Sequence, residues 1–293
     1  MANDELNIVV LLRQCRDPRP PACIKNGGHA INARDVRTML NPSDLGALEK
    51  ALQLREKHGG LLTVLAIGSK SVDAHLGTGL SMGAERAVRI RDRSLGGYDD
   101  AGLSRVLSRA FDILSPALIC TGNVMEDRGF DPLFPLAAAR SGIPCVQNVV
   151  TATVQDGGVQ TLKTTDHGAG QLVKTPLPAA LTFTGREEAR YPSIDALVQA
   201  VDAHIEVWGR AELGLKFMNA SQAGTTTRLA GYGTPRPDPV RVVTPDHNLP
   251  AFERILSLLA GGVTARLGEV HHLSSDETAD ALLALFGKVG LLP

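Results

Sequence analysis

The sequence predicts an α/β protein with a doubly wound, mainly parallel sheet. Three continuous apolar runs, at residues 7–12, 61–67 and 116–120, are typical of strands that are covered on both faces. Amphipathic stretches separate these runs, and Gly68 and Gly122 follow the second and third strands closely. Because strand and helix alternate in this way, we expect helices on both faces of the sheet.

Cap and breaker residues set the bounds of the first helices. Asn41 and Ser43 are alternative caps for a helix that stops at Gly59, and a second helix ends at Met82, before the break at Gly83. Further strands are predicted at residues 87–90 and further helices at residues 103–114 and 135–141.

The second half of the chain has a different character. Thr, Gln and Gly are frequent between residues 157 and 185, which predicts antiparallel hairpin strands that extend the sheet and have one wet face. The Pro-rich residues 231–240 predict a linker. We expect an α/β domain at residues 1–210 and an extended C-terminal arm at residues 211–293. Helices are predicted in this arm at residues 251–259 and 278–285.

Composition excludes several classes of protein. The 293 residues are 43% hydrophobic and carry a net charge of −1, so the chain can bury a sizeable core but has no bulk field suited to nucleic acid. Its start lacks the basic lead and small-residue cleavage site of a signal peptide, and its apolar runs are shorter than the ~18 residues of a membrane span. We therefore expect a cytoplasmic protein that is not embedded in a membrane and has no nucleic-acid partner.

The predicted sheet places a ligand site at one edge. In doubly wound sheets, ligands bind beyond the carboxyl ends of the strands, at the point where the strand order reverses. The loops after Leu12, Ile67 and Cys120 should surround that point, with small residues and helix N-termini that favour phosphate. The sequence has neither GxGxxG nor GxxxxGK[ST]. It therefore predicts a Rossmann-like, adenine-nucleotide-binding fold without indicating the nucleotide.

The cysteines and histidines predict neither a metal site nor a catalytic centre. The 4 cysteines lack CxxC or Cys/His spacing, and two of them lie in apolar runs, where cysteine behaves as a small hydrophobe. The histidines at positions 271 and 272 point in different directions as chain neighbours, and no third ligand is close in sequence.

Several short segments carry a family resemblance. Arg-Gln-Cys-Arg-Asp-Pro occupies residues 13–18 and Asn-Pro-Ser-Asp-Leu-Gly-Ala-Leu-Glu occupies residues 41–49. The strand end at Ile67, the turn at residues 82–87 and the segment 177–193 continue the same order. Together they resemble the beta subunit of electron-transfer flavoproteins. After partial matches near residue 210, an insert of unassigned role lies around residues 232–260.

The resemblance implies a heterodimer that carries electrons from flavin-dependent dehydrogenases to a membrane quinone oxidoreductase or another acceptor. In this family the alpha subunit holds most of the FAD, while the beta subunit forms one wall and usually buries an AMP. The C-terminal arm would pack on the alpha subunit. The cofactor-binding residues carried over are Leu11, Asp17, Asn41, Ile67, Gly68, Gly122, Asn123 and Asp127, and the partner-docking residues are Arg190, Tyr191, Ile194 and Leu197.

Two departures from the family pattern affect function. In the loop at residues 122–134, the family's Gln-(Thr/Val)-Gly is replaced by Pro132, Leu133 and Phe134, so we expect AMP to be weakly held or absent. The family's lysine-rich docking stretch is replaced by residues 193–202, with Ile194 as the expected anchor.

Alternatives remain at this point. Arg190 and Tyr191 could simply close a strand, and Ile194, Leu197 and Val201 could form one buried helical face. The whole chain could also be a stand-alone nucleotide-binding sensor of the same superfamily. A third alternative is the beta subunit of a bifurcating flavoprotein, with a second FAD in place of AMP.

Overall fold

A computed structural model describes residues 6–20, 35–92, 95, 98–155, 157–165, 168–185, 188–216, 227, 245–259 and 272–289. The chain divides into two compact units, Met1–Thr234 and Pro235–Pro293, which we call unit 1 and unit 2. Unit 1 holds a large sheet with its helices. The described part of unit 2 contains two helices.

The described residues form 13 strands and seven α-helices. The strands are β1 (Ile8–Leu11), β2 (Gln14–Arg16), β3 (Thr38–Leu40), β4 (Leu62–Ile67), β5 (Arg86–Ile90), β6 (Leu118–Gly122), β7 (Val124–Met125), β8 (Gly129–Phe130), β9 (Cys145–Gln155), β10 (Gly158–Thr164), β11 (Gly170–Pro176), β12 (Ala179–Phe183) and β13 (Glu206–Trp208). The helices are α1 (Pro42–His58), α2 (Asp73–Met82), α3 (Asp100–Leu114), α4 (Leu133–Arg140), α5 (Ile194–Val201), α6 (Ala251–Leu259) and α7 (Ser275–Val289). A 3₁₀ turn at Lys70–Val72 precedes α2.

The described strands of the main sheet have the order β11-β10-β9-β12-β6-β1-β4-β5-β13. The pairs from β9 to β13 along this order are parallel, and β10 pairs antiparallel with both β9 and β11. The predicted fold class, a mainly parallel sheet with an antiparallel extension, is confirmed.

The prediction of antiparallel hairpins up to residue 185 is wrong for β12. This strand lies between β6 and β9 and pairs parallel with both. All five of its residues, Ala179–Phe183, are buried. Their continuous apolarity is typical of a strand that is covered on both faces. Because a polar hairpin directly precedes this strand, the sequence analysis included the strand in the antiparallel extension.

Two apolar cores lie on opposite faces of the sheet because successive strand residues point to opposite sides. On β1, Ile8 and Val10 belong to the core that α1 and α2 cover. Val9 and Leu11 belong to the core that α3 and α4 cover, where Phe111 packs edge to face on Phe134 with ring centroids 6.2 Å apart. The sheet is therefore covered on both faces, as predicted.

Unit 2 presents apolar side chains on its helices. The side chains of α6 and α7 for which burial is described are exposed, among them Phe252, Ile255 and Phe286. Ser274 and Glu277 form a capping box at α7, with the Ser274 backbone amide donating to the Glu277 carboxylate over 2.9 Å. The predicted linker at residues 231–240 lies outside the described residues. Over the described chain, no helix combines the length and apolarity needed to cross a membrane.

Candidate functional site

The strand order reverses at β1. From β1 the chain continues to β4 and β5 on one side and then crosses to β6 on the other. Both neighbours of β1 pair parallel with it, so the carboxyl ends of β1, β4 and β6 meet at one edge of the sheet. That edge brings together Leu11, Ile67 and Gly122, as the sequence predicts.

A buried arginine occupies this edge directly after β1. Arg13 is 7% exposed, and its guanidinium donates to both oxygens of the fully buried Asp44, with its Nε 3.2 and 3.1 Å from Oδ1 and Oδ2. It also donates from Nη1 to Asp131 Oδ2 over 2.9 Å and from Nη2 to the Gly122 carbonyl over 2.7 Å. Burial alone would lower the pKa of Arg13, but the charges and hydrogen bonds of Asp44 and Asp131 outweigh it and raise that pKa above its ordinary value.

Asn41 links the start of α1 to the loop after β6. It occupies the N-cap position but makes no side-chain cap bond. Instead its Nδ2 donates to Asp44 Oδ1 over 3.0 Å and to the Val124 carbonyl over 2.8 Å, and its Oδ1 accepts from the Glu126 amide over 3.1 Å. This fully buried amide is therefore bonded within the protein on both sides.

Gly68 and Gly122, which the sequence analysis assigns to the cofactor site, are closely packed against other parts of the protein. A Cβ on Gly122 would lie 2.5 Å from the backbone carbon of Ser43, at the first turn of α1. A Cβ on Gly68 would lie 2.6 Å from Cγ1 of Val72. Glycine at the ends of β4 and β6 thus lets the 3₁₀ turn at Lys70–Val72 and the first turn of α1 pack against these strand ends.

The remaining predicted site residues lie in loops near the same strand ends. The Asp127 carboxylate accepts from the Arg16 amide over 2.8 Å, which ties β2 to the loop after β6. Asn123 donates to Asn148 Oδ1 over 3.2 Å. Asp17 bonds Arg19, whose guanidinium lowers the pKa of that carboxyl to about 2.

A small crevice opens beside Arg13 at the reversal point. It encloses about 180 Å³, whereas ligand pockets begin at roughly 300 Å³. Its walls combine apolar side chains with a few charged ones. They are Leu11, Leu12, Arg13, Gln14, Ile67, Leu103, Met125, Arg128, Asp131 and Leu133.

The predicted docking segment is exposed and firmly held at its base. Tyr191 is 97% exposed and Ile194 is 79% exposed. Arg190 pairs through its guanidinium with Glu49 and Glu56 of α1, with its Nε 2.8 Å from Glu49 Oε2. Ser193 caps α5 by accepting from the Ala196 amide over 3.1 Å.

The alternative of a buried apolar face on α5 is wrong for this chain, since Leu197 is 48% and Val201 is 81% exposed. Both side chains border a groove of about 550 Å³ between α2 and α5. The apolar stripe of α5 is thus open to solvent beside this groove.

Sequence reasoning missed the buried charges at the reversal point. Arg13 and Asp44 lie within the two segments that carry the family resemblance, but a charged residue next to a buried strand is usually assigned to the surface. Asp131 lay inside the loop that departs from the family pattern. The spacing of these residues along the chain gave no signal that they would meet.

The cysteines and histidines give no metal cluster in the part of the chain that the structure describes. Burial raises the pKa of Cys120 to about 12 and that of Cys145 to about 11, which keeps both as thiols at neutral pH. Cys23 and His271 lie outside the described residues.

A doubly wound sheet with a crevice at its reversal point defines a nucleotide-binding type of α/β protein. Comparison with known families identifies a particular family within this class. The family model described as the electron transfer flavoprotein domain matches residues 29–205 of the chain. The chain belongs to the electron transfer flavoprotein family, and the predicted resemblance is confirmed.

Similar proteins span most of the chain. It is 30% identical over 203 residues to the electron transfer flavoprotein subunit beta of Bacillus subtilis (strain 168), covering 69% of this chain and 78% of that protein. It is 28% identical over 276 residues to protein FixA of Sinorhizobium fredii, covering 91% of this chain and 96% of that protein. Identity to the subunit beta of Clostridium acetobutylicum is 28% over 230 residues, covering 78% and 88%.

Proposed function

We propose that this chain is the beta subunit of a heterodimeric electron-transfer flavoprotein. With an alpha subunit and FAD, it carries electrons from flavin-dependent dehydrogenases in the cytoplasm to a membrane quinone oxidoreductase or another acceptor. The observation that carries the proposal is the match to relatives that are named as beta subunits, over 78% and 88% of their own length.

The geometry at the reversal point supports a subunit that does not hold a whole FAD by itself. The crevice encloses about 180 Å³, too little for a whole FAD. Beside it, the Arg13 guanidinium donates to the carboxylates of both Asp44 and Asp131 in the interior. Residues paired in this way support the strand ends beside a shared cofactor by packing and electrostatics, so we propose that the chain is redox-active only within the complex and is not an enzyme alone.

The cofactor-facing residues in this proposal are those at the strand ends and their loops. Leu11, Ile67 and Gly68 would contribute apolar and backbone surface. Polar contacts would come from the part-exposed loop residues Asp17, Asn123 and Asp127, and the buried Asn41 and Gly122 would hold those loops in place.

Two exposed apolar surfaces would serve the partners. On unit 1, Tyr191, Ile194 and Leu197 would meet the dehydrogenase, while Arg190 holds their base. In unit 2, the arm that we assign to residues 211–293 would pack on the alpha subunit through α6 and α7, whose apolar side chains are exposed. Exposed apolar stretches of this kind mark interaction sites.

Expression with and without an alpha subunit tests the proposal. Alone, the full chain should be colourless. Co-purified with an alpha-type subunit, it should give a yellow heterodimer with a flavin absorbance spectrum. An isolated chain that holds stoichiometric flavin, or a stable monomer that binds ATP and does not bind an alpha subunit, would contradict it.

A further inference from the structure

The N-terminus of α4 is where a doubly wound sheet would ordinarily hold a phosphate. The helix begins at Leu133, which follows β6 in the chain and lines the crevice at the reversal point. Free backbone amides at such a terminus bind anions, and the helix dipole favours negative charge there. What these amides bond to therefore decides whether the crevice accepts a nucleotide.

A carboxylate of the protein itself occupies this position. Asp131 is 3% exposed, and its Oδ1 accepts from the Leu133 amide over 3.2 Å and from Arg128 Nη2 over 2.8 Å. Its Oδ2 accepts from Arg13 Nη1 over 2.9 Å. One backbone amide and two guanidinium groups thus surround an anion that is covalently part of the chain, which is the set of donors that a phosphate would use.

The first turn of α4 offers few other donors. Residues 132 and 135 are prolines and have no N–H, and the Leu133 amide is bonded to Asp131. Phe134 is the remaining residue among positions 132–135 that has a backbone N–H. A helix start of this composition cannot cradle a phosphate with several amides.

The charges around the crevice also oppose an added anion. Arg13 already bonds Asp44, Asp131 and the Gly122 carbonyl, and Arg128 already bonds Asp131 and Asp100. Burial is the main cause that raises the pKa of the nearby Cys15 to about 11, and the charges of Asp127, Asp44 and Glu126 add to it. A phosphate would therefore enter a negative field whose cations are already paired.

We infer that Asp131 is a specificity-determining residue that excludes phosphate groups from the crevice at the reversal point. The complex therefore holds neither AMP nor a second FAD beside the flavin that the two subunits share. This inference rests on the proposed heterodimer, because it concerns that complex's second nucleotide position. In this proposal a built-in carboxylate, that of Asp131, takes the place of the ligand's anion.

Denaturing release of nucleotides from the native heterodimer, followed by chromatographic counting of FAD and AMP, is the first test. We expect about one FAD and less than about 0.1 AMP per heterodimer. One full equivalent of AMP, or two of FAD, would overturn the inference while leaving the heterodimer intact. Failure to obtain any flavin-containing heterodimer would instead contradict the proposed function.

Titration of Asp131→Asn with AMP and with adenosine is the second test. The amide keeps an acceptor for the Leu133 N–H but removes the negative charge, so we expect AMP to bind at least about tenfold more tightly than to the unaltered heterodimer, with adenosine unchanged. The matched control is Asp100→Asn, which also removes a carboxylate paired with Arg128 but leaves the α4 terminus occupied. A folded Asp131→Asn heterodimer without this gain, or an equal gain in Asp100→Asn, would overturn the role of Asp131. If the variant does not fold, the nucleotide count decides.

Discussion

At the scale of single residues, burial of charge organises the carboxyl edge of the sheet. The Asp44 carboxylate is fully buried and accepts from Arg13, Thr121 and the Gly122 amide, so it ties α1 to β1 and β6 at once. Such a group is stable only while its partners are present, because an unpaired buried charge is costly. The same logic applies to Glu49, which is paired with Arg190.

Replacing Arg190 should destabilise the fold through Glu49. The Glu49 side chain is 7% exposed, and Arg190→Met would leave its carboxylate without the guanidinium, at a cost of about 1–3 kcal/mol in the free energy of unfolding. Urea denaturation at neutral pH would measure this cost. Arg109→Met is the matched control, since Arg109 and Asp112 are 44% and 43% exposed and their pair should matter little. Equal losses in both variants would contradict the assignment.

The same pair predicts a pH dependence. Its hydrogen bonds with Arg190 lower the pKa of Glu49 in the folded protein below the ordinary 4.5. A depressed carboxyl pKa adds stability that is fully present above 4.5 and is lost as the pH falls through the folded-state pKa. The stability difference between the unaltered chain and Arg190→Met should therefore shrink on acidification below that value. Urea melts across this range would measure it, and a difference that grows would be inconsistent with the pair.

Gly122→Ala should also destabilise the chain. The new methyl group would lie 2.5 Å from the backbone carbon of Ser43, so α1 must shift at a cost of at least about 1–3 kcal/mol. Gly77→Ala is the control, because its Cβ would lie 3.9 Å from the Ala200 carbonyl oxygen and alanine is favoured inside helix α2. Thermal melts would measure both variants, and the melting temperature should fall in Gly122→Ala but not in Gly77→Ala. An unchanged melting temperature in Gly122→Ala would show that α1 adapts without a cost in stability.

At the scale of elements, α5 is a short helix with its apolar stripe exposed. Its register is set by the Ser193 cap, and Arg190 fixes the chain just before it to α1. A rigid base of this kind presents apolar side chains without first having to order the segment. The element is therefore suited to docking in a way that an exposed flexible loop would not be.

Ile194→Ala should weaken docking of a dehydrogenase without affecting the fold. Burying this side chain in a partner pocket is worth about 1.5–3 kcal/mol, so we expect the apparent KM for the dehydrogenase to rise roughly tenfold. The flavin spectrum and the melting temperature of the heterodimer should not change. Leu172→Ala is the control, since Leu172 is 67% exposed on β11. A lower melting temperature with normal partner kinetics would instead identify Ile194 as a structural residue of the complex.

At the scale of the whole molecule, the two units differ in what they bury. Unit 1 has a core on each face of its sheet, with side chains such as Leu48 and Phe111 almost wholly buried. In unit 2, the described side chains of α6 and α7 are exposed. In the proposed heterodimer these helices would gain stability by packing on the alpha subunit, since short amphipathic helices gain most of their stability from packing.

Phe252→Asp should therefore lower the affinity for the alpha subunit. Phe252 is 70% exposed, and a charge at that position would oppose burial in an interface. We expect at least tenfold weaker association in sedimentation experiments, in line with about 1.4 kcal/mol or more. Leu172→Asp introduces the same charge at an exposed apolar position of unit 1 and should leave association unchanged. Equal affinities in the two variants would contradict the role assigned to the arm.

The alternation of the main strands and helices, the fold class and the family can be predicted from the sequence alone, whereas β9 and the short strands β2, β3, β7, β8 and β13 were not predicted. The fold class follows from apolar runs and cap residues within about ten residues of one another, whereas the family follows from short segments that resemble it, and both are local patterns along the chain. Only the tertiary structure decided that β12 inserts between β6 and β9, because pairing depends on which neighbour can cover the strand. It alone also brought Arg13 to Asp44 and Asp131, which lie 31 and 118 positions away along the chain. Charged residues so far apart in the chain come into contact only when the sheet and its helices have formed, since their burial and pairing depend on the packed fold rather than on local spacing.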